Sequence, residues 1–144
     1  MIKIYTDEYL NRLLDIWNDA SRKAHHFLSE EFLKKERHDI ENVFLKSAST
    51  YLYFVDDRPA GFISMIGNIV GGLFVDPVYW NKGIGTKLLD YAVELIGDLE
   101  LEVFKENERA VKFYINYGFK IVNEEIHYSA KRPVYLMKLE RSIA

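Results

Sequence analysis

A chain of 144 residues is one domain's worth of sequence. Hydrophobic residues at 49% and charged residues at 28% fit an ordinary globular protein, and the ten Tyr and nine Phe supply ample core material. With 19 Lys plus Arg against 22 Asp plus Glu, the net charge of −3 argues against general nucleic-acid binding, and zero Cys exclude disulfides, thiolate metal sites and an acyl-cysteine intermediate.

Ile2–Tyr5 alternates and reads as a short strand. Thr6 has the chemistry of an N-cap, with Asp7 and Glu8 following where a helix dipole favours them. Leu10, Leu13, Leu14, Trp17 and Ala20 then recur at helical spacing. A second helix is expected from Ser29, with Glu30 and Glu31 in its first turn and Leu33, Ile40, Val43 and Phe44 as its buried stripe. From Ser49 the period changes to two. Thr50–Val55 and Ala60–Ile66 read as strands joined by the turn Asp56-Asp57-Arg58-Pro59, and Gly67-Asn68 leads into a third, Ile69–Val75. Gly71 and Gly72 inside that strand signal a bulge or the close approach of a backbone or ligand. Gly83–Ile96 is expected as a helix, Leu99–Phe104 as a strand, and Glu108–Tyr117 as a short helix closed by Gly118. Phe119–Glu125 and Val134–Glu140 complete the sheet. The order β-α-α-β-β-β-α-β-α-β-β describes a single-domain α/β fold over residues 1–144. No apolar run approaches the ~18 residues of a membrane span. The start, Met1-Ile2-Lys3-Ile4-Tyr5, lacks signal-peptide character, so a cytoplasmic protein without a membrane partner is expected.

The most informative segment runs from Gly72 through Asp76-Pro77 to Gly83-Ile84-Gly85-Thr86-Lys87. Glycines between a strand and a helix let backbone N–H groups converge on an anion at the helix N-terminus, a cradle for phosphate or pyrophosphate. A P-loop fits poorly, since Thr86 and Lys87 stand in the reverse order, and a dinucleotide fingerprint lacks its third glycine at Leu88. A ligand-free glycine turn is the alternative reading of this segment.

Leu73–Leu89 resembles motif A of the GNAT superfamily of N-acetyltransferases, whose loop reads Gln/Arg-x-x-Gly-x-Gly/Ala. Leu99-Glu-Leu-Glu-Val-Phe-Lys-Glu-Asn, followed by Glu108–Phe119, is similar to its motif B. The departure is Trp80, which stands where the family carries Gln or Arg. The resemblance implies a mixed, mostly antiparallel sheet flanked by helices, with acetyl-CoA as cosubstrate. Leu73, Phe74 and Val75 would pair with the pantetheine amides. Asn81, Lys82, Gly83, Ile84, Gly85 and Thr86 would surround the pyrophosphate, and Asn107 would hydrogen-bond the pantetheine arm. Lys82, Lys87, Arg109 and Lys112 either meet the charged end of the cofactor or are solvated surface charges.

Acetyl transfer to an amine requires a proton acceptor, polarisation of the carbonyl, and a proton for the departing thiolate. Without Cys, direct attack in a ternary complex is favoured. By resemblance Tyr114 is the acid, seven residues after Asn107; its other reading is a packed aromatic. Glu102 sits where some family members carry a catalytic Glu, pointing away from Leu101 and Val103. Among apolar neighbours it would be a better base near neutrality; otherwise it is a solvent-facing strand carboxylate. Ala24-His25-His26-Phe27-Leu28 is similar to a His-x-Phe-Leu/Ile segment of a small bacterial acetyltransferase subgroup. Trp17, His25, Phe27, Tyr128 and Tyr135 are the acceptor-side candidates. Adjacent His lack the spacing of a helical metal site, so no metal is expected. The acceptor is a primary amine: a protein lysine, an N-terminus, an aminoglycoside, a polyamine or an amino acid. The rival functions are a non-catalytic acyl-CoA-binding or sensor module and a mononucleotide-binding domain. The chain would act as a monomer or homodimer, without nucleic acid.

Overall fold

The computed structural model describes residues 1–141. Strand β1 (Ile2–Ile4) leads through a 3₁₀ turn at Asp7–Tyr9 into α1 (Leu10–Ala24) and α2 (Glu30–Asp39), and a π turn at Ile40–Phe44 joins α2 to the short α3 (Leu45–Ser47). Strands β2 (Ser49–Val55), β3 (Arg58–Ile66) and β4 (Ile69–Val75) form a meander, followed by a 3₁₀ turn at Pro77–Tyr79 and α4 (Ile84–Ile96). The chain ends with β5 (Leu99–Phe104), α5 (Glu108–Tyr117), β6 (Lys120–Ile126) and β7 (Pro133–Leu139). The sheet order is β1-β2-β3-β4-β5-β7-β6, antiparallel throughout except for β4 beside β5. This is the mixed, mostly antiparallel architecture the sequence implies.

Each sheet face carries its own core. Leu13, Leu14, Ile16 and Trp17 of α1 pack with Leu33, Leu52 and Phe62 on one face. Ile84, Leu88, Leu89 and Ala92 of α4 pack with Ile63, Leu101, Val103, Tyr114 and Met137 on the other. Four α1 side chains at or below 2% exposure, each contributing about 1.5–3 kcal/mol, hold that helix against the sheet. Its position along the sheet is set by Arg12, which bonds Pro59 O (2.9 Å) and the Asp76 carboxylate (2.8 Å) at the exit of β4. Asp76 also accepts the Val78 N–H at 3.1 Å, capping the turn that leads to the glycine loop. Burial alone would raise the Asp76 carboxyl, but these hydrogen bonds and the charges of Arg12 and Arg58 outweigh it and hold it below the ordinary carboxylate range.

Three local expectations change. Thr6 does not cap through its side chain; its hydroxyl bonds Glu8 at 3.2 Å, and α1 begins after an extra 3₁₀ turn. Ser29 does cap, accepting the Phe32 N–H at 3.0 Å. The expected stripe of α2 breaks at Val43, which is 62% exposed, because the π turn inserts one residue per turn and rotates the following side chains. Phe44 and Leu45 take the inward positions. Asp56 and Asp57 alone form the β2–β3 turn, both at positive φ, so Arg58 and Pro59 already belong to β3.

Candidate active site

The parallel pairing of β4 with β5 stops after Ile69↔Glu100 and Val70↔Leu101. A bulge at Gly71 accounts for the divergence: on β3, Ser64 faces Gly72 while its neighbour Met65 faces Val70, leaving Gly71 unmatched. The Phe44 ring lies directly on Gly71, where any Cβ would collide with it. The glycine therefore serves both the bulge and the close approach of α2's continuation. Beyond it, Leu73–Val75 and Leu101–Phe104 line opposite walls of a cavity of about 740 Å³.

At one end the cavity meets the glycine loop. Asn81 (φ 65°) and Gly83 (φ 80°) adopt left-handed backbone, and no side chain caps α4. The first N–H groups of α4, at Ile84, Gly85 and Thr86, thus lie without intrahelical partners along the cavity wall. Gly83 faces open space where a Cβ would otherwise stand. Such a cradle fits a pyrophosphate. Trp80 sits beside it. Its indole N–H donates to Val75 O at 2.6 Å, and the Arg109 guanidinium carbon lies 3.9 Å and Lys23 Nζ 4.9 Å from its ring centroid. Arg109 also donates to Asn81 Oδ1 at 3.3 Å. Trp80 therefore gathers cations at the mouth of the cradle, while occupying a carbonyl that the sequence reading left free for pantetheine. Lys87 instead bonds the Tyr53 hydroxyl at 3.1 Å.

At the splay, Tyr114 of α5 lines the cavity at 8% exposure. Burial alone pushes its phenol well above the ordinary value. Asn107 caps α5, with Oδ1 accepting the Ala110 N–H at 3.2 Å and Nδ2 lying 3.0 Å from His25 Nε2. Burial lowers His25 to about 4.

The opposite sheet face forms the other end. Leu99, Leu101 and Val103 are buried while Glu102 is exposed, the alternation expected of this strand. The apolar surroundings expected for Glu102 are absent: its side chain is 47% exposed and lies 3.8 Å from His127 Nε2. Phe104 stacks against His25, Phe27 and His127. Arg132 donates to Phe27 O at 3.3 Å, tying the β6–β7 turn to the α1–α2 connection.

Leu73, Phe74, Val75, Asn81, Gly83, Ile84, Gly85, Thr86, Glu102, Asn107, Tyr114 and His25 all line this one cavity. Other candidates stand elsewhere. Trp17 is 2% exposed in the α1 core and Tyr128 is 87% exposed on the β6–β7 turn, and neither lines the cavity. Lys82 is exposed beside the cradle, and Phe27 stands outside the cavity lining, with its ring against His25 and Phe104 and its carbonyl bonded by Arg132. The sequence reading missed Glu36, whose carboxylate lines the cavity from α2. Burial, with the charge of Asp39 adding, pushes it up to about 7. A signal existed: Glu36 shares the helical stripe of Leu33 and Ile40, and a carboxylate in an apolar stripe is informative.

Residues 10–119 match the acetyltransferase (GNAT) family. The chain is 31% identical over 129 residues to the peptidyl-lysine N-acetyltransferase YjaB of Salmonella typhimurium, covering 89% of this chain and 88% of the relative. It superposes on apo YjaB from Escherichia coli with a TM-score of 0.84 at 28% identity, covering 96% and 95% of the two chains. It also shares its fold with the PaiA N-acetyltransferase of Thermoplasma acidophilum, solved in complex with coenzyme A (TM-score 0.75, 23% identity, 97% and 99% covered). This chain belongs to the GNAT acetyltransferase family and is an N-acetyltransferase.

Proposed function

We propose that this enzyme transfers the acetyl group of acetyl-CoA to the side-chain amine of a protein lysine, by direct attack in a ternary complex. One observation carries the reading: a single cavity joins an anion cradle, an unpaired strand edge, a buried phenol and a pair of carboxylates. The N–H groups of Ile84–Thr86 and the cations at Trp80 suit the pyrophosphate. The β4 edge beyond Gly71 suits the pantetheine amides and supplies a backbone N–H for the thioester carbonyl. The relatives named as peptidyl-lysine N-acetyltransferases support the choice of lysine among amines.

In the reaction the neutral amine attacks the acetyl carbonyl, the C–N bond forms and the C–S bond breaks. Tyr114 gives its proton to the departing thiolate. Glu102, half exposed at the mouth beside His127, takes the acceptor's proton and passes it to water. The test is free-thiol release with a panel of amines, and the absence of Cys in the chain removes background. Lysine peptides should release thiol in an acceptor-dependent manner. Tight acetyl-CoA binding without release for any amine would favour a non-catalytic acyl-CoA module instead.

A further inference from the structure

We propose that Glu36 is the counter-ion that receives the acceptor's ammonium group and sets the preference of this site for cationic alkylamines; the assignment rests on the lysine reading above. Glu36 stands on α2 over the glycine pair of β4, between the main cavity and a smaller pocket lined by Asp39, Phe44, Phe62 and Ser64. The Phe44 and Phe74 rings take the space that side chains at Gly71 and Gly72 would fill, so Glu36 shares this region with aromatic rings. Among the described residues, no cation lies within ion-pair distance of its carboxylate. A carboxylate taken largely out of water without a partner is costly to ionise, and a positive ligand relieves that cost.

The surrounding groups do not supply the charge. Of the titratable side chains sharing the cavity, His25 is neutral at the end of α1, Tyr79 and Tyr114 are phenols, and Arg109 is stacked on Trp80 at the cradle end. Glu102 on β5 faces His127 at 3.8 Å. Asp39, on the same helix, adds negative charge and strengthens attraction for a cation. Phe74, Phe104 and Ile69 line the same space with hydrocarbon, and Asn81, Thr86 and Asn107 add neutral polar groups but no charge. Hydrocarbon walls beside a carboxylate that has no ion-pair partner suit a lysine side chain, four methylenes tipped by an ammonium.

The burial-raised affinity of Glu36 for protons makes the assignment readable by pH. Between pH 6 and 8 a lysine ammonium keeps its charge, while Glu36 ionises around pH 7, so binding should strengthen as pH rises. The experiment is ligand-observed NMR on the full chain with saturating CoA, using Nα-acetyl-lysine amide and its counterpart without the ε-amino group, Nα-acetyl-norleucine amide. Native protein should prefer the lysine probe about tenfold at pH 8 and lose most of that preference at pH 6. Glu36→Gln should abolish the preference and its pH dependence while retaining CoA affinity. The native protein's own probe preference reads the proposal even if the variant folds poorly. Equal binding of both probes by native protein, or an unchanged preference in folded Glu36→Gln, would overturn it. Preferential lysine binding without thiol release would instead overturn the transferase reading and leave this assignment standing.

Discussion

Asn107 and His25, 82 residues apart in sequence, are joined by a 3.0 Å hydrogen bond that fixes the state of both. Because Asn107 Oδ1 already accepts the Ala110 N–H, the edge facing His25 is the NH₂ group. His25 Nε2 must therefore accept, which makes the ring neutral with its proton on Nδ1. The α1–α2 connection is thereby tied to the first turn of α5, and the lone pair a His base would need is occupied.

The burial of His25 has a pH consequence of definite sign. A His lowered from 6.5 to about 4 in the folded protein takes up protons more readily when unfolded. Its contribution is fully present above pH 6.5 and is lost progressively as pH falls towards 4, by up to about 3 kcal/mol. Glu36, raised to about 7, acts oppositely between about pH 4.5 and 7, so the native melting profile sums two opposed slopes. His25→Gln keeps an acceptor for Asn107 and removes the titration; its melting temperature should fall less than that of the native protein between pH 6.5 and 4.5. His25→Leu, which orphans the Asn107 N–H, should lower stability by about 1–3 kcal/mol at pH 7. Parallel pH profiles for native protein and His25→Gln would show that the ring exchanges protons freely in the fold.

Trp80 replaces the family's Gln or Arg with an indirect device. The indole supports Arg109 face-on and bonds Val75 O, so α5 adds a positive charge beside the loop. Trp80→Ala should weaken acetyl-CoA binding about tenfold, or 1.4 kcal/mol, and Arg109→Ala by a similar amount. The double variant should lose little more than either single change, since one acts through the other. Calorimetry on the three variants checks this, and additive losses would mean the two residues contact the cofactor independently.

The strands, the helix order and the cradle could be read from the sequence because they rest on local periodicity and on a glycine junction within a single segment. Orientation across the fold could not. Trp17 and Phe104 are both aromatic residues on regular elements, yet one fills a core and the other lines the cavity; only the packing of α1 against the sheet separates them. Glu36 was hidden by its neighbours, since Glu-Glu-Phe-Leu-Lys-Lys-Glu-Arg-His-Asp reads as a solvated helix unless each carboxylate is assigned to a face. Glu102 stands on β5 at the open end of the β4–β5 splay, a feature that depends on the bulge at Gly71, on the far side of α4 in sequence.

Glu102 tests the division of labour between the two carboxylates. Glu102→Gln retains the side-chain shape and removes its basicity. Turnover at neutral pH should fall about 10²-fold, the lower end for one acid–base group, with acetyl-CoA affinity and lysine-probe binding held. Steady-state kinetics from pH 6 to 9 separate this from the Glu36 variant, whose loss should appear in the acceptor KM. Overlaying pH–rate profiles for Glu102→Gln and native enzyme would assign the proton to solvent.

In the proposed mechanism Tyr114 is the acid of the transfer step. A phenol is an ordinary weak acid near 10, above a thiol near 8.5, and burial raises Tyr114 further. It is therefore protonated throughout the working range, the state that the proposed donation to sulfur requires. Tyr114→Phe keeps the ring, its edge contacts with Phe113 and Phe119 at 5.3 and 5.4 Å, and the cavity wall. It deletes only the hydroxyl, which burial alone and no hydrogen bond perturbs, so the fold should be unchanged or slightly more stable. The kcat should fall about 10²-fold, towards the low end because a thiolate is already a good leaving group. Acetyl-CoA affinity should stay within about twofold, since the lost contact forms as the sulfur gains charge. An acetyl donor whose thiol leaves more readily should recover much of the lost rate in Tyr114→Phe and gain little in the native enzyme. Kinetics with both donors on both proteins measure this interaction; full activity in Tyr114→Phe would reduce the tyrosine to a packing residue and leave the thiolate to water.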